Sequence, residues 1–168
     1  MSKKLWQPSL IEKKNSNLFA FENYISKNLN KKFNRNYKNL LNWSIKNSPN
    51  FWSIFWDFSK IKGIKSKQKL RKSKIFYKNL FLPGTKLNFG ENLLSKNTQE
   101  KAVTFISENG FREERSWRQL NLNTSKIVNF FKKIKIKKGD RVAAYMPNTI
   151  ETVEAFIATT SLGCIWSS

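Results

Sequence analysis

The chain has 168 residues, 39% of them hydrophobic and 14% aromatic, enough to bury one core or slightly more. A single Cys and the absence of His exclude an internal disulfide and a zinc cluster of the usual Cys/His type, and they fit a reducing, cytoplasmic setting. The formal net charge of +21 is lopsided: residues 1–80 carry 19 Lys and Arg against 3 acids, residues 81–168 carry 13 against 8.

The start, MSKKLWQPSLIEKK, has basic residues but no apolar run behind them that could serve as a secretory signal. The longest uncharged run, Ala155 to Ser168, is too short for the ~20 residues of a membrane-spanning helix. The sequence therefore predicts no membrane partner.

Within residues 1–36, Asn15 or Ser16 can cap a helix in which Leu18, Phe21, Tyr24, Ile25 and Leu29 recur at three- and four-residue spacing. That is the stripe of a surface helix packed on a core. Tyr37 to Phe58 predicts two short helices with a sharp join, the second opened by Ser48 as cap and Pro49 in the first turn. Phe51, Trp52, Phe55, Trp56 and Phe58 then supply an aromatic core corner.

Residues 59–80 hold nine Lys or Arg, no acid and an interior Gly, which predicts a loop or a poorly formed helix. Such a segment could attract a phosphate backbone, an anionic membrane or an anionic cofactor. The competing reading is compositional drift. Lys outnumbers Arg 26 to 6 and Asn occurs 20 times, the bias an AT-rich coding sequence produces. The scarcity of Arg also disfavours nucleic acid as a partner.

A turn at Pro83-Gly84 ends this stretch, and Asn88 with Glu91 predicts a reciprocal cap for a short helix over Glu91 to Lys96. Ala102 to Glu108 and Phe111 to Trp117 predict a hairpin on a two-residue Asn109-Gly110 turn, its charged second strand suited to a sheet edge. Ser116 and Gln119 cap a helix to about Ile134, with Trp117, Leu120, Ile127, Val128, Phe131 and Ile134 on one face and Lys137, Lys138 and Gly139 at its exit. Asp140 to Met146 reads as a parallel-type strand. Asn148 and Glu151 cap the next helix, whose stripe is Ile150, Val153, Phe156 and Ile157, and Gly163 ends it before a strand at Cys164, Ile165 and Trp166. A lone Cys with no base to activate it reads as a small core residue. A βαβ unit needs layers on both faces, so the chain reads as the front piece of a larger α/β protein.

Several stretches resemble the adenylate-forming acyl-CoA synthetases, within them the acetoacetate branch: LWQPS, NSNLFAF from Asn15, SPNFWSIFWDF from Ser48, PGTKLNFGENLL from Pro83, and KKGDRVAAYMPNTIETVEAFIATTSLGCIWSS at the end. The Lys-rich stretch 59–80 departs from the family pattern. The resemblance implies an α/β fold: an N-terminal helical segment over residues 1–58, a Lys-rich linker over 59–80, and at 81–168 a hairpin and an incomplete βαβ unit opening the large AMP-binding domain. It implies a parent ligase that uses ATP, Mg²⁺ and coenzyme A, with the remainder of the synthetase chain as partner. The six glycines are too dispersed for a phosphate cradle, and no catalytic, cofactor-binding or metal-binding residue carries over onto this sequence. Two other readings stay open: a basic nucleic-acid-binding module through residues 59–80, and a docking or regulatory piece of a complete synthetase.

Overall fold

The computed structural model describes residues 5–168; residues 1–4, with the two lysines of the start, lie outside them. The chain divides into two compact units, the first ending at Lys86 and the second covering Leu87–Ser168. Among the described residues there are seven α-helices and four two-stranded sheets, a mixed α/β architecture.

In the first unit α2 (Asn17–Leu29) starts where the sequence places it, with the Ser16 side chain accepting from the Phe19 amide. Of its predicted stripe, Phe21 and Ile25 are buried whereas Leu18 and Leu29 stay exposed, so the packed face is narrower than the spacing suggests. A short helix that the periodicity missed, α1 (Leu10–Lys14), precedes it on a Ser9–Glu12 capping box. Leu10 and Ile11 are exposed, and five residues are too few to show a stripe.

Helices α3 (Tyr37–Lys46) and α4 (Ser48–Phe58) meet at a single joining residue. That residue, Asn47, is the cap of α4, and Ser48 is already helical; with Pro49 in the first turn, the start shifts one residue ahead of the predicted cap. Phe21, Ile25, Phe33, Leu40 and Ile54 form the core, with Tyr24, Trp43, Phe51 and Phe58 packed against it. Phe21 meets Phe51 and Phe55 edge to face at 5.8 and 5.5 Å, the arrangement ring quadrupoles favour. Each fully buried core side chain stabilises this unit by ~1.5–3 kcal/mol.

The stretch 59–80 is largely loop, as the sequence predicts, with short ordered pieces in it. It forms β1 (Gly63–Ile64), β2 (Leu70–Arg71) and a 3-10 turn over Phe76–Lys78, and it enters β3 (Leu80–Phe81), which pairs antiparallel with β2. β1 pairs with β4 (Lys86–Leu87). Two of its lysines anchor it to α4: the Lys65 ammonium donates to the Ser53 carbonyl and the Asp57 carboxylate, both at 2.7 Å, and Lys69 donates to the Asn50 side chain at 2.8 Å. The Pro83-Gly84 turn is present, with Gly84 at φ +83° and the Thr85 amide donating to the Leu82 carbonyl.

The second unit opens with α5 (Phe89–Leu93), earlier and shorter than the predicted Glu91 to Lys96. The Asn88 side chain accepts from the Glu91 amide, and its own amide group turns away to another helix. The hairpin β5 (Lys101–Ile106) and β6 (Arg112–Ser116) forms in the predicted place, with a bulge between Lys101 and Val103. Its turn is wider than two residues. Ser107 and Phe111 still pair through the Ser107 amide, and only Gly110 is left-handed, at φ +84°. Asn109 spends its side chain accepting from the Phe111 amide instead of adopting positive φ.

Helix α6 (Trp117–Lys133) has the predicted capping box of Ser116 and Gln119 and buries Leu120 and Thr124, while Ile134 is exposed. The chain leaves α6 through Lys135 at φ +64°, and Gly139, at φ +91°, makes the turn over Lys137–Asp140 that leads into β7. Strand β7 (Arg141–Ala143), helix α7 (Ile150–Ser161) and strand β8 (Ile165–Ser167) make the βαβ unit, with β7 and β8 parallel and Val142 opposite Trp166. β7 is shorter than the predicted Asp140 to Met146, pairing with β8 over three residues, and Tyr145 beyond it is fully exposed. The cap of α7 is Thr149, one residue after the predicted Asn148. Ile150 and Ile157 are buried as the stripe requires, and Gly163 leaves the helix at φ +71°.

Candidate functional site

The densest polar arrangement among the described residues lies in the second unit, around Arg115. Alternation along β6 turns Arg112 and Glu114 to solvent and Glu113 and Arg115 inward. The Arg115 guanidinium then meets three carboxylates: Glu113 at 2.5 Å on its own strand, and Glu151 at 3.2 Å and Glu154 at 3.6 Å on α7. Glu154 is 4% exposed, and one of its oxygens also accepts from the Asn123 side chain of α6 at 2.9 Å. Strand β6 and helices α6 and α7 are thus tied at one buried carboxylate. The bond to Glu113 raises the Arg115 pKa above its ordinary value against the opposing pull of burial, with the Glu113, Glu154 and Glu151 charges adding to the rise.

This cluster can hold three elements in register, but it offers no free acid or base. Arg115 is spent on carboxylates, and Glu151 is occupied twice over. Its carboxyl is held below the ordinary value by its own backbone amide first, then by the Thr149 hydroxyl, with Arg115 adding to both. A carboxylate lodged at the first turn of α7 also satisfies the positive end of that helix. Sequence reading treated FREERSW as an edge and missed the cluster. The signal was there, in a Glu-x-Arg on one strand face and a Glu-x-x-Glu on the facing helix, but which faces meet is a tertiary fact.

The remaining candidate chemistry is as limited. Cys164 is 7% exposed, its thiol donates to the Lys137 carbonyl at 3.1 Å, and burial pushes its pKa up, with Asp140 contributing in the same direction. A thiol so placed is a poor nucleophile. Folding does bring together two glycines that are distant in sequence: the Gly139 amide donates to the Gly163 carbonyl at 3.1 Å. That amide is therefore consumed, and the pair sits at the N-terminal ends of β7 and β8, whereas ligands of parallel sheets bind beyond the C-terminal ends. Past the C-terminal end of β7 an open groove of about 520 Å³ runs between β5 and the start of α7, with Phe105, Ser107, Glu108, Asn148 and Val153 among its walls. Its only ionisable wall residue, Glu108, would repel phosphate. That groove does not fit a nucleotide triphosphate, and among the described residues no group of three His, Cys, Asp or Glu is placed to hold a metal ion.

Asn88, read from the sequence only as the cap of a short helix, and Gly90, which that reading did not single out, make a second feature. The Asn88 amide group donates to the Thr160 and Ser161 carbonyls at 3.1 and 3.0 Å, so one side chain caps the start of α5 and the end of α7 together. Gly90 is buried where α5 crosses α7, too close for any side chain.

Residues 93–167 match the family of AMP-binding enzymes. The acetoacetyl-CoA synthetase of Xenopus tropicalis is 34% identical over 171 residues, which cover 99% of this chain and 25% of that protein. The acetoacetyl-coenzyme A synthetase of Rhizobium meliloti (strain 1021) is 31% identical over 164 residues, covering 98% and 25%. The solved acetoacetyl-CoA synthetase from Streptomyces lividans shares the fold, with a TM-score of 0.86 at 22% identity over 99% of this chain and 26% of the other. The chain spans about a quarter of the length of the curated relatives it matches.

Proposed function

We propose, for a chain that resembles the N-terminal part of the acetoacetyl-CoA synthetases along nearly its whole length, that it serves as the scaffold-bearing portion of an ATP-dependent acetoacetate–CoA ligase. The observation that carries this reading is the extent of the match, 99% of the chain, through both the helical unit and the α/β unit. The whole ligase would activate acetoacetate as an acyl adenylate, releasing pyrophosphate, and then pass the acyl group to the thiol of coenzyme A. ATP with Mg²⁺ supplies the activating group when bound.

The residues described above contribute no step of that chemistry. Their part is to fold the entry of the AMP-binding domain. Arg115, Glu154 and Asn123 lock the hairpin to α6 and α7, and α7 carries the chain across from β7 to β8. The partner is the rest of a synthetase, and a reducing, cytoplasmic compartment suits the single buried thiol.

Two measurements test the proposal. The isolated chain should give no acetoacetate-dependent exchange between ATP and pyrophosphate. A chimera in which this chain replaces the matching quarter of the Xenopus tropicalis synthetase should retain exchange. Exchange by the chain alone, or a folded chimera with none, overturns the reading.

A further inference from the structure

The loop joining β2 to β3, residues 72–79, presents apolar side chains to water. Ile75 is 42% exposed, Phe76 89% and Tyr77 79%. The loop is built rather than loose: the Ser73 amide donates to the Asn79 side chain at 2.8 Å, the Ile75 amide to the Ser73 hydroxyl at 3.2 Å, and the Asn79 amide to the Phe76 carbonyl at 3.1 Å. The backbone that carries Ile75, Phe76 and Tyr77 is therefore held by local hydrogen bonds while their side chains stand in water. Apolar side chains grouped at the surface and rimmed by charge are the pattern of an interaction site.

Charge surrounds this tip. Lys67, Arg71, Lys72, Lys74 and Lys78 are exposed, and among the described residues no ion pair engages them. Lys65 and Lys69 differ, being turned to Asp57 and Asn50. No acid occurs in the sequence between Asp57 and Glu91. The hairpin is thus an apolar point in an unopposed field of positive charge.

We propose that this hairpin is a peripheral binding surface for anionic lipid, with Ile75, Phe76 and Tyr77 entering the headgroup layer and Lys72, Lys74 and Lys78 meeting the lipid anions. Aromatic rings favour the membrane–water interface, and clustered lysines add electrostatic attraction to an anionic leaflet. The same charges would attract single-stranded nucleic acid, and the exposed rings of Phe76 and Tyr77 could stack on bases. Lipid is favoured by Ile75, an aliphatic side chain beside them with no face for a base, and by a set of cations that is lysine but for Arg71, where base contacts favour the guanidinium fork. The sequence-based expectation of no membrane partner rested on the lack of a spanning segment. No helix among the described residues is long and apolar enough to span, yet surface attachment needs none.

The test is co-sedimentation of the full chain with vesicles of phosphatidylcholine alone and of phosphatidylcholine with about a third phosphatidylserine. Binding is expected only to the anionic vesicles and is expected to weaken as salt is raised. Phe76→Ser with Tyr77→Ser, and separately Lys72→Gln, Lys74→Gln and Lys78→Gln together, should each lower it by about tenfold or more. Both variants alter exposed side chains, so their circular dichroism and melting should match the parent. Equal binding to neutral vesicles, no binding at low salt, or variants that fold and bind as the parent does would overturn the proposal. Binding of a single-stranded oligonucleotide without vesicle binding overturns it too, as does self-association that the Phe76 and Tyr77 changes abolish without any lipid binding.

Discussion

Gly90 on α5 faces Ser161 on α7 so closely that a methyl group on its Cα would lie 2.8 Å from the Ser161 amide nitrogen and 2.9 Å from the Ile157 carbonyl oxygen. Both atoms belong to the backbone of α7 and cannot rotate aside. Gly90→Ala gains helix propensity worth ~1 kcal/mol, but overpacking against backbone costs about 1–3 kcal/mol. The clash should win. Thermal unfolding of the second unit should fall by several degrees, and an unchanged or higher melting temperature would show that α5 shifts freely.

Asn88 works on both helices, and two substitutions separate its roles. Asn88→Ala removes the cap of α5 and the two donations to α7, which together are worth about 1–3 kcal/mol. Asn88→Asp keeps an acceptor for the Glu91 amide but sets a negative charge against the Thr160 and Ser161 carbonyls. Denaturant titrations should show both variants destabilised. Asp as stable as Asn would mean that the contact with α7 contributes nothing.

Arg115 should prove more costly to remove than any exposed cation of the chain. Arg115→Met keeps the apolar stem but leaves Glu154, 4% exposed, with Asn123 as its one remaining partner shown here. A buried acceptor stripped of its charge partner costs about 2–3 kcal/mol. The double variant Arg115→Met with Glu154→Met should recover much of that loss, because an apolar pair of similar volume has nothing left to satisfy. Equilibrium unfolding of the two variants decides; equal losses in both would refute the coupling.

The outer face of the same hairpin predicts a pH response. Glu114 has its carboxyl held below the ordinary 4.5, first by its bond to Lys101 and then by Arg112. Because the folded value lies below the unfolded one, this contribution is complete above the unfolded value and is lost as pH falls through the folded one. An NMR titration of the Glu114 carboxyl should give a midpoint below 4.5. In Lys101→Gln that midpoint should move upward, and a midpoint that does not move would assign the effect elsewhere.

Local chemistry made much of this fold legible from residue types alone. Ser16, Ser116 and Gln119 announce helix starts by satisfying amides a few residues away, and Gly84 and Gly163 mark left-handed exits that need no tertiary partner. The misplacements at Asn47 and Thr149 have one cause. A Pro-containing junction fixes that a helix begins but leaves several neighbours able to cap it. Glu154 was not legible, because a carboxylate on a helix reads as solvent-facing until Arg115 is brought to it from another strand. The ladders within 59–80 escaped for a similar reason. Their strands are two residues long and are fixed by Lys65 and Lys69 reaching back to α4, a contact that no periodicity announces.

The bond from Asn88 to the Thr160 and Ser161 carbonyls spans 72 and 73 residues, and this has a consequence for the chain while it is being made. The β5–β6 hairpin can close as soon as Ser116 is available, but α5 has nothing to dock on until the ribosome has passed Ser161. At ~5–20 residues per second, the 72 residues from Asn88 to Thr160 take about 4–14 s. Throughout that time Phe89 has no Phe156 ring to meet, the contact it makes at 5.9 Å in the folded unit. The docking of α5 is therefore one of the last steps in folding the second unit, at a point set by how far apart α5 and α7 lie in the sequence.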